Sequence, residues 1–206
     1  MCAPDSRSGV NGQGVSGDDT TPLTYVATTA ASASTTAGAI PNTIADDENF
    51  PSGPERNTVG ALRYRIYSKW DDCYLADLHD HCVSGDPGIQ YKQDEENTSA
   101  DNDCIMSTAA GDALDRLQTL TKAEWGAAGG VYVTDAWDGD GGHSSHSLHF
   151  EGRAIDMVPA DFDMSKLPRF ASLAATAGFE WVYNEGDHVH ASVSAAPDAC
   201  VLVHPL

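Results

Sequence analysis

The stretch HSLHFEGRAIDM, residues 146–157, is the one whose reading decides the fold. Its second half, continued as RAIDMV (153–158), reads as a β-strand. His149 and Asp156 stand seven positions apart on either side of Gly152. In an uninterrupted strand an odd interval sends two side chains to opposite faces. A glycine between them can take up a turn that brings both back to one place. A third polar group is offered by NEGDHVHASV (184–193), where His188 and His190, two apart, share a strand face. His149, Asp156 and His190 together supply two imidazoles and a carboxylate with a fourth position open, the donor set of a catalytic zinc site. Glu185, five positions before His190, adds a carboxylate suited to activating a water. Any one of these residues alone is more often a surface feature; the set points to a metal.

Working outward, GVYVTDAW (130–137) reads as a second strand. FEWVYNE and VHASV form the arms of a hairpin around a Gly-Asp turn. MSTAAGDALDRLQTLTKAEW (106–125) carries Met106, Ala110, Ala113, Leu114, Leu117 and Leu120 on one helical face and stops before Gly126. SKLPRFASLAATAG (165–178) is a second helix, with Pro168 tolerable in its first turn and Gly178 as its stop. Further upstream, ALRYRIYSKW (61–70) predicts a first strand. Helices on one face of a mixed sheet, an α+β two-layer sandwich, is the simplest assembly. The expected domain is 61–195. Residues 1–60 are rich in Gly, Ser, Thr, Ala and Pro and read as a flexible arm; 196–206 form a tail.

At 206 residues one core is expected. With 31 acidic and 11 basic residues the net charge is −20, which disfavours nucleic acid, anionic membranes and heparin. No stretch reaches the roughly 20 apolar residues of a membrane span, and the start, MCAPDSRSGV, carries no apolar signal region. Five cysteines fit neither a metal framework nor a dense disulfide scaffold. Cys73 and Cys82 either close a short loop by a disulfide or are free.

Two acidic stretches stand out. DEENTSAD holds Glu95, Glu96 and Asp101; DAWDGDGG holds Asp135, Asp138 and Asp140. Alternate acids around Gly139 can converge on one cation, and six carboxylates in two loops suit one or two calcium ions. Asn97 to Ser99 is also a glycosylation sequon, for which a place inside the cation loop is the preferred reading.

SLHFEGRAID (147–156) resembles the S-x-H-x-x-G-x-A-x-D signature of the D-alanyl-D-alanine carboxypeptidase and lysostaphin-type zinc peptidases. More closely, DEENTSAD, VTDAWDGDGGHSSHSLHFEGRAIDM and AATAGFEWVYNEGDHVHASV resemble successive blocks of the Hedgehog N-terminal signalling domain, in that family's order and over about residues 86–194. The resemblance implies a two-layer α/β fold with zinc on His149, Asp156 and His190. It places Glu185 where the peptidases have their general base, and His188 and His143 as histidines lining the same cleft. All six acids fall where the family has its calcium ligands, Asp135 standing in for the more usual glutamate.

The resemblance further implies a calcium-dependent surface for a cell-surface receptor or fibronectin-type co-receptor, and an extracellular or cell-surface location. The alternative is an active zinc peptidase with a peptide substrate. Three features depart from the family. The interval from Glu185 to His190 is one residue short, the basic heparin-binding run is missing, and WDDCYLADLHDHC (70–82) has no counterpart. These fit a divergent member such as the hedge domain of a larger hedgling-type surface protein, of which the chain would be a fragment.

Overall fold

The computed structural model describes residues 53–92, 101–139, 143, 146–197 and 200. Its centre is a five-stranded sheet built from β2 (Gln90–Tyr91), β5 (Val131–Asp135), β7 (Ala154–Pro159), β8 (Trp181–Asn184) and β9 (Val189–Ser192). The strand order is β2-β5-β7-β9-β8, with β2 parallel to β5 and all other neighbours antiparallel. The sheet is therefore mixed, as expected. The strands alternate in the way a half-covered sheet requires. Val131, Val133, Ile155, Met157, Val189 and Ala191 are fully buried, whereas the intervening Asp156 and His190 are only partly covered.

Two helices cover the apolar side. Helix α4 (Thr108–Trp125) contributes Ala110, Ala113, Leu114 and Leu117, and α5 (Leu167–Ala177) contributes Phe170, Ala171 and Ala174 to the same core. Helix α4 starts two residues later than its apolar pattern, because Met106 belongs to the short strand β4 (Ile105–Ser107). Ser107 caps the helix, its hydroxyl accepting from the Ala110 amide at 3.4 Å. Helix α5 is preceded by a 3-10 turn at Met164–Lys166 and ends at Gly178. No helix among the described residues is long and apolar enough to cross a membrane.

One expectation is corrected. Residues 61–67 form no strand: the Arg63 and Tyr64 amides donate to the Glu151 carboxylate, at 2.7 and 3.0 Å, and Ile66 to the Phe150 carbonyl at 3.2 Å. A side chain and a turn have taken the place of a strand ladder. Folded structure is also present upstream of residue 61. Helix α1 (Gly53–Val59) buries Glu55 and Val59, and Val59 packs with Leu148 and Ala154. The rest of the expected arm, residues 1–52, lies outside the described residues. Finally, Cys73 does not pair with Cys82. The disulfides are Cys73–Cys200 and Cys82–Cys104, with Cα atoms 5.4 and 5.2 Å apart. The first ties Cys200, in the expected tail, to the domain.

The segment between Trp70 and Cys82 folds as two short helices, α2 (Asp72–Asp77) and α3 (His81–Ser84), around strand β1 (Leu78–Asp80). Strand β1 pairs antiparallel with β4. A last pair joins β3 (Asp101–Asn102) to β6 (Trp137–Asp138).

Candidate metal centre

The polar groups gather on the side of the sheet away from α4 and α5, and register brings them together. Asp156 and His190 are direct neighbours across β7 and β9. His149 lies in a 3-10 turn (Leu148–Glu151) that leads into β7 through Gly152, which adopts φ 58°. A β-carbon there would meet Leu78 at 2.6 Å and the Met106 Cα at 3.1 Å, so only glycine fits. That turn swings His149 back over Asp156.

Asp135 arrives by a different device. Val133 faces Met157, but a bulge follows, so that Asp135 rather than Thr134 faces Asp156. Without that extra residue Asp135 would point to the core with Val131 and Val133. The bulge re-aims it to the polar side.

His149, Asp156 and His190 place one donor atom each within 4.8 Å of one another. His149 Nδ1 lies 2.6 Å from the Ala136 carbonyl and so carries a proton as donor. Among the described residues its Nε2 is left buried without a full hydrogen bond, 3.4 Å from Asp156 Oδ1. A buried imidazole nitrogen so placed is costly unless a proton or an ion occupies it. His190 turns Nδ1 to Asp156 Oδ1 at 2.9 Å and Nε2 to Glu55 Oε1 at 3.0 Å. Glu55 also accepts from the Ser192 hydroxyl at 2.6 Å. This donor set fits zinc, with Glu55 as the carboxylate that orients a ligand imidazole.

In the metal-free chain the same atoms hold protons. Burial opposes charge on His149, but the Asp156 carboxylate outweighs it and raises the imidazole to about 9. His190 is raised well above its ordinary value against burial by Asp156 and Glu55, and Asp156 is held well below the usual carboxylate range by the two imidazoles.

The rim carries the remaining expected residues. His188 Nε2 lies 3.6 Å from Asp156 Oδ2 and 3.5 Å from Glu185 Oε2, and its Nδ1 is 2.8 Å from Asp187. The shortened hairpin thus keeps Glu185 beside the cluster, one imidazole removed. His143 stacks on His149, with ring centres 4.1 Å apart and planes 4° from parallel. Its Nε2 is 3.1 Å from Asp135 Oδ2 and 3.7 Å from Asp138 Oδ2. His146 is exposed.

Of the six acids, Asp101 and Asp138 face each other across β3 and β6, both buried. Like charges opposite one another in a ladder repel, which a bound cation would relieve. Asp135 links them to the imidazole cluster through His143 and through His149 Nδ1 at 3.5 Å. Glu95, Glu96, Asp140 and the Asn97 sequon lie outside the described residues.

Two residues escaped the sequence reading. Buried Asp103 follows β3 directly. Glu55 reaches His190 from 135 residues away, and no local signal marks it.

The profile of the Hedgehog amino-terminal signalling domain matches residues 46–192. The chain is 43% identical over 114 residues to the Indian hedgehog protein of Gallus gallus, covering 55% of this chain and 27% of that protein. It is 44% identical over 110 residues to the Sonic hedgehog protein of Danio rerio, covering 53% and 25%. To the hedgehog protein of Drosophila hydei it is 39% identical over 104 residues, covering 50% and 21%. The matched region is thus about a quarter of the length of these relatives. A family match across most of the chain, on a mixed sheet whose polar side carries Asp156 and His190 beside the turn of His149, leads to one conclusion: this chain belongs to the Hedgehog amino-terminal signalling domain family.

Proposed function

We propose that the chain is an extracellular or cell-surface ligand domain. In this reading zinc on His149, Asp156 and His190 braces the fold, and calcium at the Asp135 and Asp138 side forms a surface for a receptor or a fibronectin-type co-receptor. The observation that carries it is the buried Asp101 facing Asp138 beside Asp135 and His143, an arrangement of charge that suits a cation. Glu95, Glu96 and Asp140 belong to the same proposed set. A hard divalent ion there would turn an acidic patch into a site whose shape depends on calcium.

The test is binding to a panel of fibronectin type III domains with and without millimolar calcium. Capture that needs calcium and falls at least tenfold in Asp138→Ala supports the reading. Equal capture in chelator would sink it.

A second reading, zinc-dependent peptide hydrolysis, is favoured by one contact: Glu185 sits 3.5 Å from His188, itself 3.6 Å from Asp156. Zinc held at the cluster would supply Lewis acidity toward a peptide carbonyl. Glu185 would accept the proton of an attacking water and return it to the leaving amine. His188 or His143 would donate to the developing oxyanion. Peptides ending in D-Ala-D-Ala, incubated with zinc-loaded protein and with Glu185→Gln, decide it: cleavage that survives the substitution, or no cleavage at all, removes this reading.

A further inference from the structure

His79 and His81 lie away from the centre described above, in the segment that departs from the family pattern. The His81 ring is nearly sealed from solvent, at 4% exposure, and is held in a slot between two glycines. A β-carbon at Gly85 would lie 2.4 Å from its Nε2, and one at Gly111 of α4 would lie 2.7 Å from its Nδ1. The same β-carbon at Gly111 would be 3.1 Å from His79 Nε2, so both imidazoles rest on one bare patch of helix backbone.

Neither nitrogen of His81, nor Nδ1 of His79, makes a hydrogen bond among the described residues. Buried imidazole nitrogens left without hydrogen bonds are costly. A ring kept only for packing would be better replaced by leucine. The Asp115 carboxylate lies 3.2 Å from His81 Nε2, off the line of a full hydrogen bond. It still draws the imidazole proton to that nitrogen and leaves the Nδ1 lone pair bare.

The rings of His79 and His81 have centres 5.6 Å apart at 77°. Two imidazoles on one tetrahedral ion, with metal to nitrogen distances near 2.0 Å, put their ring centres roughly 5 Å apart. Asp80, Asp112 and Asp115 all act on His79 electrically, and burial with the neighbouring His81 keeps that imidazole below its ordinary pKa, in the neutral form a metal needs.

We propose that His79 and His81 form a second transition-metal site, with water completing the coordination and Asp115 orienting His81. The ion is a divalent metal that favours imidazole, such as zinc. The Cys82–Cys104 disulfide beside it supplies no thiolate while oxidised.

The test is a zinc titration of the full, oxidised, 15N-labelled chain, followed through the ring 15N signals of its histidines. The expected result is that His79 and His81 shift together, apart from His149 and His190. In His79→Asn the His81 response should vanish while His149 and His190 behave as before. Asp115→Asn should weaken binding at this pair 10–100-fold. Ring signals of His79 and His81 that ignore millimolar zinc, or a His81 response that survives His79→Asn, would overturn the proposal. Shifts at His79 and His81 without any at His149 and His190 would uphold it even though the main zinc reading failed.

Discussion

Between pH 6.5 and 9 the metal-free protein should lose stability while the zinc-loaded protein gains it. His149 titrates at about 9 in the fold against 6.5 when unfolded, so the folded chain holds more protons across this window. Its contribution is complete below pH 6.5 and is lost as pH rises through about 9. The shift corresponds to about 3 kcal/mol, which for a chain of this size lowers the melting temperature on the order of 10 °C. His190, also raised, pushes in the same direction. Asp156, held low, matters only in acid: its contribution is present above the ordinary carboxylate range and fades as pH falls below it.

Zinc reverses the slope because it binds the neutral imidazoles, and protons compete with it until pH exceeds the histidine range. Melting curves of the two forms at pH 6.5, 7.5 and 9 measure both slopes. A metal-free melting temperature that stays flat would mean the two imidazoles are not charged in the fold. A zinc-loaded one that falls in parallel would mean the metal is not on them.

What the sequence disclosed follows from how far each signal reaches. Helices α4 and α5, the strands of the β8–β9 hairpin and the turn at Gly152 are local patterns of period 3.6 or 2 broken by glycine, and they stand where they were expected. His149, Asp156 and His190 converge because strand parity and one glycine turn suffice to bring them together. Three things depended on distant partners. ALRYRIYSKW has the composition of a strand, but its amides found the Glu151 carboxylate instead of a neighbouring ladder. The disulfide partners of Cys73 and Cys82 lie 127 and 22 residues away, and spacing carries no record of that. Asp135 reaches the polar face only because of a bulge, which no residue in VTDAW announces. Glu55 was hidden for a related reason: its short helix had the composition of an arm, and its place was set by His190 and Ser192.

Glu151→Gln should destabilise the domain by about 3–5 kcal/mol, the cost of leaving a buried charge without its partner. Arg153 is only 3% exposed. Its Nε lies 2.6 Å from Glu151 Oε2. Its remaining nitrogens donate to the carbonyls of Val59, Ala61 and Val193, each at 3.0 Å. The other oxygen of Glu151 accepts the Arg63 and Tyr64 amides. One ion pair therefore joins the end of α1, the chain that follows it, the turn bearing His149 and the exit of β9. Glutamine can keep the amide contacts but not the charge, so Arg153 would be left with carbonyl dipoles alone. Arg153→Lys should fail similarly, since an ammonium cannot span a carboxylate and three carbonyls as the guanidinium fork does.

The damage should also reach the metal. Glu55 is placed by α1, so loosening that helix frees His190 Nε2, and zinc affinity should drop 10–100-fold in Glu151→Gln although no ligand has changed. Urea unfolding of the metal-free variant and a zinc competition titration of the folded one separate the two effects. A loss of stability below about 1 kcal/mol would put the pair among ordinary surface ion pairs. Full loss of stability with unaltered zinc affinity would leave the clamp intact as structure and remove its link, through α1, to the candidate metal centre.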